Sequence, residues 1–410
     1  MANLSPDLHE KSGIKEFEFI TLMACLMSNV AFSIDAVLPA FPDIGLALNV
    51  SDNSQLQLIV TTIFLGLGLG ELLFGTLSDS FGRKRIVYIG VSVFILASIV
   101  VIFAPNLEVF LLGRVFQGIG LSAARSVSIA IIRDTYSGNR MARVMSFMMT
   151  IFTLVPMIAP LLGQLILNHF NWQTIFYFQL IFIGITLIWF FFRQQETLPE
   201  SKRIPINKHL FTNGLKEFFK QQQSVIYTVI SGVLQGSFIA YLGLSQHIFQ
   251  VQYEMVEAFP YIFGGLAFAF GIAAFSNGFL VIKYGMLKII NSSLYIFILT
   301  SLTYILLFAN TSNPSITILV SFLFVQFLSF GFLFGNLSSV AMQPIGHIAG
   351  VGAAIYSFIS ILLAVGVAFF IGKYTDERAL PLFVGFLVIG IVAFILVQWS
   401  KKGIQNNNLI

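Results

Sequence analysis

Charge is what this chain has least of. Only 10% of its 410 residues are Asp, Glu, Lys or Arg, against 57% hydrophobic and 15% aromatic, and its mean hydropathy is +0.89. A water-soluble domain of this length needs a larger charged fraction to cover its surface, so lipid is the expected solvent for most of the chain. Cysteine is nearly absent as well, and the single Cys25 excludes an internal disulfide framework. Histidine is sparse: residues 9, 169, 209, 247 and 347 are scattered without metal-ligand spacing, and His247 and His347 fall near predicted helix ends. With neither H-E-x-x-H nor G-x-S-x-G in the sequence, an enzyme is not expected, nor is a metal or cofactor.

What is present is apolar length. Runs of about 20 apolar residues, enough to cross a hydrocarbon core of about 30 Å as helix, recur twelve times. They cover 18–39, 54–76, 86–104, 108–132, 143–167, 172–192, 224–244, 258–280, 287–309, 315–339, 350–372 and 379–399. The fold class this predicts is an all-α integral membrane protein with two six-helix bundles, 18–192 and 224–399. A polar tail (1–17), a polar linker (193–223) and a second tail (400–410) flank them. No short apolar core with a cleavage site follows the N-terminal tail, so a cleaved signal peptide is not expected. Within the linker, "HLFTNGLKEFFKQ" reads either as an amphipathic helix on the membrane surface or as a solvated connector.

Eighteen of the 22 Lys and Arg fall in the tails, the linker and the loops on one side; Lys373 and Arg378 fall on the other. This bias predicts that both termini are cytoplasmic, and it explains the sequence pI near 9.1 as topology, so no nucleic-acid partner is expected. The halves echo one another: "GTLSDSFGRK" from Gly75 and "GFLVIKYGMLK" from Gly278 are 203 positions apart, which carries Phe81 to Tyr284 and Gly82 to Gly285. Two repeated six-helix halves are the architecture of many secondary transporters, with the substrate site expected near the midplane.

The loop after helix 2 reads G-x-x-x-D-x-x-G-R-K in Gly75, Asp79, Gly82, Arg83 and Lys84. Its glycines permit close helix approach and a tight turn, and Asp79 with the basic cluster can form a charge network that holds in one conformation and breaks in another. The bland alternative is that Arg83, Lys84 and Arg85 only anchor topology. The spacing does not fit a Walker phosphate loop.

Four charged residues lie well inside predicted helices: Asp35 in helix 1, Glu71 in helix 2, and Arg114 and Arg125 in helix 4. A charge in hydrocarbon costs several kcal/mol or more, so each must face an aqueous cavity, pair, or change protonation. Depth suggests partners. Asp35 and Arg114 both fall in the outer half, whereas Glu71 lies roughly 8 Å and Arg125 roughly 12 Å from the inner surface at about 1.5 Å per residue. The arginines are close to three full turns apart, so they share a face, with Gln117 and Ser128 near it. Arginine stays charged, while a carboxylate in a dry site can take a proton. Protonation of Asp35 would then release Arg114. A static salt bridge is the alternative. Helix 5 carries Pro156, Pro160 and Gly163, which predict a kinked, closely packed helix.

These pieces together resemble the twelve-helix drug:proton antiporters, specifically the Bcr/CflA drug-resistance branch of the major facilitator superfamily. The likeness rests on "SIDAVLPAFPDI" (33–44), "GELLFGTLSDSFGRKR" (70–85), "GRVFQGIG" with "IIRDTY" (113–136), "RVMSFMMTIFTLVPMIAPLLG" (143–163) and "NWQTIF" (171–176), and more weakly on "AMQPIGHIAGVGAAIYSF" (341–358). The resemblance implies a monomeric, multi-pass protein of the bacterial inner membrane that exports small organic molecules against proton entry. It assigns Asp35 and Arg114 to proton coupling; Glu71, a carboxylate inside helix 2, is a further candidate on its own placement. Conformational motifs are Gly75, Asp79, Gly82, Arg83, Lys84, Arg133 and Asp134, with Pro156, Pro160 and Gly163 in helix 5.

Two residues depart from that pattern. Glu71 stands where the family usually has glutamine, and Arg125 where small residues are common. One reading is a second ion pair; another is that Arg125 binds an anionic substrate such as a carboxylate-bearing metabolite or siderophore. Further substrate candidates are Gln117, Gln235, Tyr241, Tyr261, Gln326 and Tyr356. An intramembrane enzyme, a channel and a non-transporting receptor are the competing classes.

Overall fold

The computed structural model describes residues 15–50, 53–203, 208–374 and 378–407. Most of the two tails lies outside the described residues or is described by backbone alone. Among the described residues there is no strand, and twelve helices are long and apolar enough to cross a membrane. In chain order the helices are α1 (Glu16–Asp35), a short α2 (Phe41–Ala47), α3 (Leu58–Phe81), α4 (Arg83–Ile102), α5 (Leu107–Thr135), α6 (Gly138–Leu167) and α7 (Gln173–Arg193), then α8 (Lys208–Lys220), α9 (Gln222–Gln246), α10 (Phe259–Tyr284), α11 (Met286–Phe308), α12 (Ile316–Met342), α13 (Ala349–Lys373) and α14 (Leu380–Asn407).

Helix boundaries follow local chemistry. Asn106 caps α5, its side chain accepting from Val109 N at 3.0 Å. Gly82 (φ 95°) and Gly285 (φ 78°) make the sharp turns from α3 to α4 and from α10 to α11. Helix α6 runs through Pro156 and Pro160, neither of which can donate a backbone hydrogen bond.

The chain divides into two compact units, one formed by Met1–Ala40 and Gly66–Asn207, the other by Phe41–Leu65 and Lys208–Ile410. Their internal packing repeats. In the first, α1 packs on α5, α6 and α7, and α4 on α5 and α7; in the second, α9 packs on α12, α13 and α14, and α11 on α12 and α14. The linker segment forms α8, which docks on protein: Phe218 is fully buried against Ile345 and Ile355, Leu215 joins them, and Gly214 faces Val351.

In the first unit α4 and α5 pack backbone to backbone where they cross. A Cβ on Gly120 would stand 2.5 Å from the Gly90 carbonyl oxygen and 2.6 Å from Phe94 N, and one on Gly90 would collide with the Ala123 methyl. Apolar side chains have no hydrophobic drive to associate in lipid, so this backbone-to-backbone contact gives the pair its dispersion energy. Gly120→Ala is expected to cost about 1–3 kcal/mol of overpacking. Gly265→Ala in α10, where a Cβ meets open space, is expected to be neutral or stabilising. Melting temperatures of the two purified variants in detergent check the contrast.

Candidate functional site

The first unit carries a chain of polar contacts along α5. Arg114 is fully buried. Its Nη1 donates to Gln117 Oε1 at 2.7 Å, its Nη2 donates to the Ser33 carbonyl at 2.9 Å, and its Cζ lies 5.9 Å from the centre of the Phe176 ring. Gln117 Nε2 donates in turn to Ser98 Oγ at 2.8 Å, and Ser98 Oγ to the Phe94 carbonyl at 2.7 Å. Three helices, α1, α4 and α5, are thus tied through one guanidinium.

The expected Asp35–Arg114 ion pair is corrected here. Asp35 ends α1, is 4% exposed, and has no ion-pair partner among the described residues. Arg114 instead reaches α1 two residues earlier, at Ser33. That carbonyl belongs to the last turn of α1, where backbone acceptors are left over and the helix dipole presents its negative end, so it suits a cation without a carboxylate. Gly163 of α6 closes on the same place: a Cβ there would collide with the Ala36 carbonyl, directly after Asp35. Pro160 is buried one turn before Gly163, and Pro156 is half-buried.

Deeper along α5, Arg125 and Glu71 meet as their depths suggested. Arg125 Nη1 lies 2.7 Å from Glu71 Oε1, with the Glu71 side chain 9% and the Arg125 side chain 35% exposed. At the end of α5, Asp134 accepts from Arg83 Nε at 2.8 Å, while Arg83 Nη1 donates to Asp79 Oδ1 at 2.6 Å and to Ser78 Oγ at 2.8 Å. Ser78 in turn donates to the Gly75 carbonyl at 2.9 Å. Lys84 Nζ donates to the Phe191 carbonyl at 3.3 Å, and Arg133 is exposed.

Sequence reasoning missed two members. Glu196, in the stretch after α7, accepts from Arg83 N at 3.0 Å and from Leu198 N at 3.0 Å through Oε1, and from Lys84 N at 3.1 Å through Oε2. Thr197 Oγ1 donates to Asp134 Oδ2 at 3.1 Å. No motif marked them, because the capping follows from how the chain turns after Arg193.

In the second unit, Gln326 is fully buried. Its Nε2 donates to Ser301 Oγ at 2.7 Å and to the Phe297 carbonyl at 3.2 Å, and Ser301 Oγ donates to that same carbonyl at 2.8 Å. This repeats the Gln117–Ser98–Phe94 arrangement, with Leu323 where Arg114 would be. Tyr241, fully buried, sets its ring 4.8 Å from Phe327. Gln235 is half-buried on α9, Tyr261 is 71% exposed at the start of α10, and Tyr356 packs on the Phe218–Ile345–Ile355 cluster.

The first two N–H groups of α4 have no intrahelical acceptor, so Glu196 satisfies groups that would otherwise depend on water. Glu196→Ala is expected to cost about 1–2 kcal/mol, the usual worth of a helix cap. Hydrogen exchange read by mass spectrometry should show the Arg83 and Lys84 amides exchanging faster, with α11 unaffected.

The chain shares its architecture and sequence with membrane transporters. It is 29% identical over 408 residues to the MFS-type transporter YdgK of Bacillus subtilis (strain 168), covering 98% of this chain and 100% of that one. It is 29% identical over 291 residues to the bicyclomycin resistance protein homolog of Haemophilus influenzae, covering 71% and 73%. With the multidrug resistance protein MdtL of Salmonella paratyphi C it shares 38% identity over 144 residues, 35% of this chain and 36% of that one. Among solved structures, the nucleoside transporter NupG superposes with a TM-score of 0.73 at 15% identity, over 94% of this chain and 99% of that one. The D-xylose-proton symporter gives 0.69 at 13%, over 92% and 97%. The Major Facilitator Superfamily profile matches residues 21–360, and with twelve membrane-capable helices in two packing-equivalent units this chain belongs to that superfamily: it is a multi-pass membrane transporter, not an enzyme.

Proposed function

We propose that this transporter exports small organic molecules by alternating access, coupled to proton entry across a bacterial inner membrane with both termini cytoplasmic. The observation that carries the proposal is the pairing of a buried, ion-pair-free carboxyl with a guanidinium fixed two residues away. Asp35 sits at the end of α1, and Arg114 holds the Ser33 carbonyl of that same turn. Gain or loss of a proton on Asp35 changes the charge beside a cation that cannot itself titrate, and so changes the preferred arrangement of the last turn of α1 against α5 and α6. Resemblance to proteins named for bicyclomycin and multidrug resistance supports drug-like or metabolite cargo and the outward direction. No cofactor is needed when the proton gradient supplies the work.

Arg125 is the point where cargo of the opposite charge would register. Its pairing with Glu71 supports the second-ion-pair reading, in which Glu71 neutralises Arg125 rather than leaving it for an anion. The alternative reading, an exporter of anionic metabolites or siderophores, relies on the third of the Arg125 side chain that remains exposed.

Transport into inverted proteoliposomes with an imposed proton gradient is the test. The wild type is expected to move substrate against its own gradient and to stop on addition of an uncoupler. Asp35→Asn is expected to lose the proton dependence. Arg114→Lys, which keeps the charge but not the two-pronged donor, is expected to slow transport about tenfold, roughly the 1.5 kcal/mol of one charge-assisted hydrogen bond. A carrier that Asp35→Asn leaves fully proton-driven would overturn the coupling. For cargo, Arg125→Ala is expected to handle cationic compounds as before. A selective loss of anionic compounds would favour the second reading.

A further inference from the structure

Gln179 of α7 is 1% exposed, and neither the nitrogen nor the oxygen of its amide meets a hydrogen-bond partner among the described residues. It lies on the buried face of its helix, three residues after Phe176 and four before Ile183. An amide with both ends unmet inside a lipid-surrounded bundle is costly, and leucine would fill the same place on the helix without that cost. Ser33 of α1 is in the same position. It is 1% exposed and its hydroxyl has no partner among the described residues, although the carbonyl of the same residue accepts from Arg114 Nη2 at 2.9 Å.

Ring contacts bring the two residues to one place. Phe110 in the first turn of α5 and Trp172 at the start of α7 stand 5.9 Å apart, so these helices begin side by side. Arg114 and Gln179 are then at matching depths, each roughly 10 Å in at about 1.5 Å per residue. Phe176, one turn before Gln179 on the same face, lies 5.9 Å from Arg114 Cζ. Phe178 and Phe182, on either side of Gln179 in sequence, set their rings 5.3 and 6.1 Å from Phe32, the residue before Ser33. The Gln179 side chain therefore projects between the part of α7 that faces Arg114 and the part that faces the last turn of α1. Its amide can donate and accept, and the Ser33 hydroxyl can do either. A cation there would be repelled by Arg114, and an anion would leave the amide oxygen unmet. Water meets both demands, with the two to four polar partners that a buried water takes.

We propose that Gln179 and Ser33 hold a water between them beside Arg114. Through that water α7 is tied to the turn of α1 whose carbonyl holds the guanidinium and which ends in Asp35. The first unit then keeps its buried arginine in place from two sides: Gln117 and Ser98 orient it from α5 and α4, and Gln179 steadies the carbonyl that receives it from α1. The site does not rest on the coupling mechanism proposed above, because the water is expected whether or not Asp35 carries the proton.

The test uses the full chain, purified in detergent and given a brief X-ray pulse. Ionised water oxidises the side chains beside it, and mass spectrometry reads which ones. Phe176 and Phe190 are both fully buried on α7, and only Phe176 adjoins the site. Phe176 is expected to be oxidised well above Phe190, and after dilution into ¹⁸O-water to take up the label more slowly than the exposed Phe170. Gln179→Leu and Ser33→Ala are each expected to lower Phe176 oxidation to the level of Phe190. Gln179→Leu is also expected to melt about 2–4 °C below the wild type, because it strips the water from Ser33 and leaves that hydroxyl unmet. The double variant is expected to melt no lower than Gln179→Leu alone, since one water serves both residues. Phe176 oxidised no more than Phe190 in the wild type would overturn the proposal and point to a direct Gln179–Ser33 bond. A Gln179→Leu variant that melts above the wild type would overturn it too, since relief of an unmet amide would then be the whole effect.

Discussion

A guanidinium shut away from water must take its acceptors from the protein, and the first unit is arranged around meeting that demand for Arg114. Two of its acceptors are a backbone carbonyl in the final turn of α1 and the amide of Gln117, which Ser98 holds from α4. Neither of these two acceptors is charged, so oriented dipoles carry part of the stabilisation, and the neighbouring carboxyl of Asp35 is left out of both bonds. This requires α4 to lie close to α5, and the Gly90–Gly120 crossing provides that proximity. Loss of the small residues there would move Ser98 away, turn Gln117 loose, and free the arginine in consequence.

Seen along its length, α5 is the spine of its unit. Arg114 ties it to α1, Arg125 ties it to α3 through Glu71, and Asp134 ties its far end to the start of α4 through Arg83. Each tie joins a different neighbour at a different depth. The levels of Arg114 and Arg125 are thereby joined, through one continuous helix, to the charge network at the end that bears Asp79 and Glu196.

Much of this was legible before any coordinates. The twelve spans follow from hydropathy, because a bilayer leaves a chain few ways to satisfy its backbone. The Glu71–Arg125 contact followed from counting residues to the membrane surface. The same counting failed for Asp35 and Arg114, since it gives height along an axis but neither the direction a side chain faces nor the rivalry of unpaired carbonyls at a helix end. Glu196 was invisible for a related reason: it lies in polar connecting chain, and its role as a cap depends on a turn that no residue pattern announces. The Gln–Ser clamp lay partly within reach. Ser98 and Phe94 recur as Ser301 and Phe297 at the interval already noted, but Gln117 and Gln326 are offset from it by several residues, so the repeat could not be read by register alone.

That clamp has an evolutionary reading. A gene that once doubled a six-helix ancestor would bequeath both copies the amide-and-hydroxyl brace, yet only one copy now supports a permanent cation on it, the other having leucine in its place. A change at Ser98 or Gln117 reaches a buried charge, whereas one at Ser301 or Gln326 disturbs only neutral hydrogen bonds.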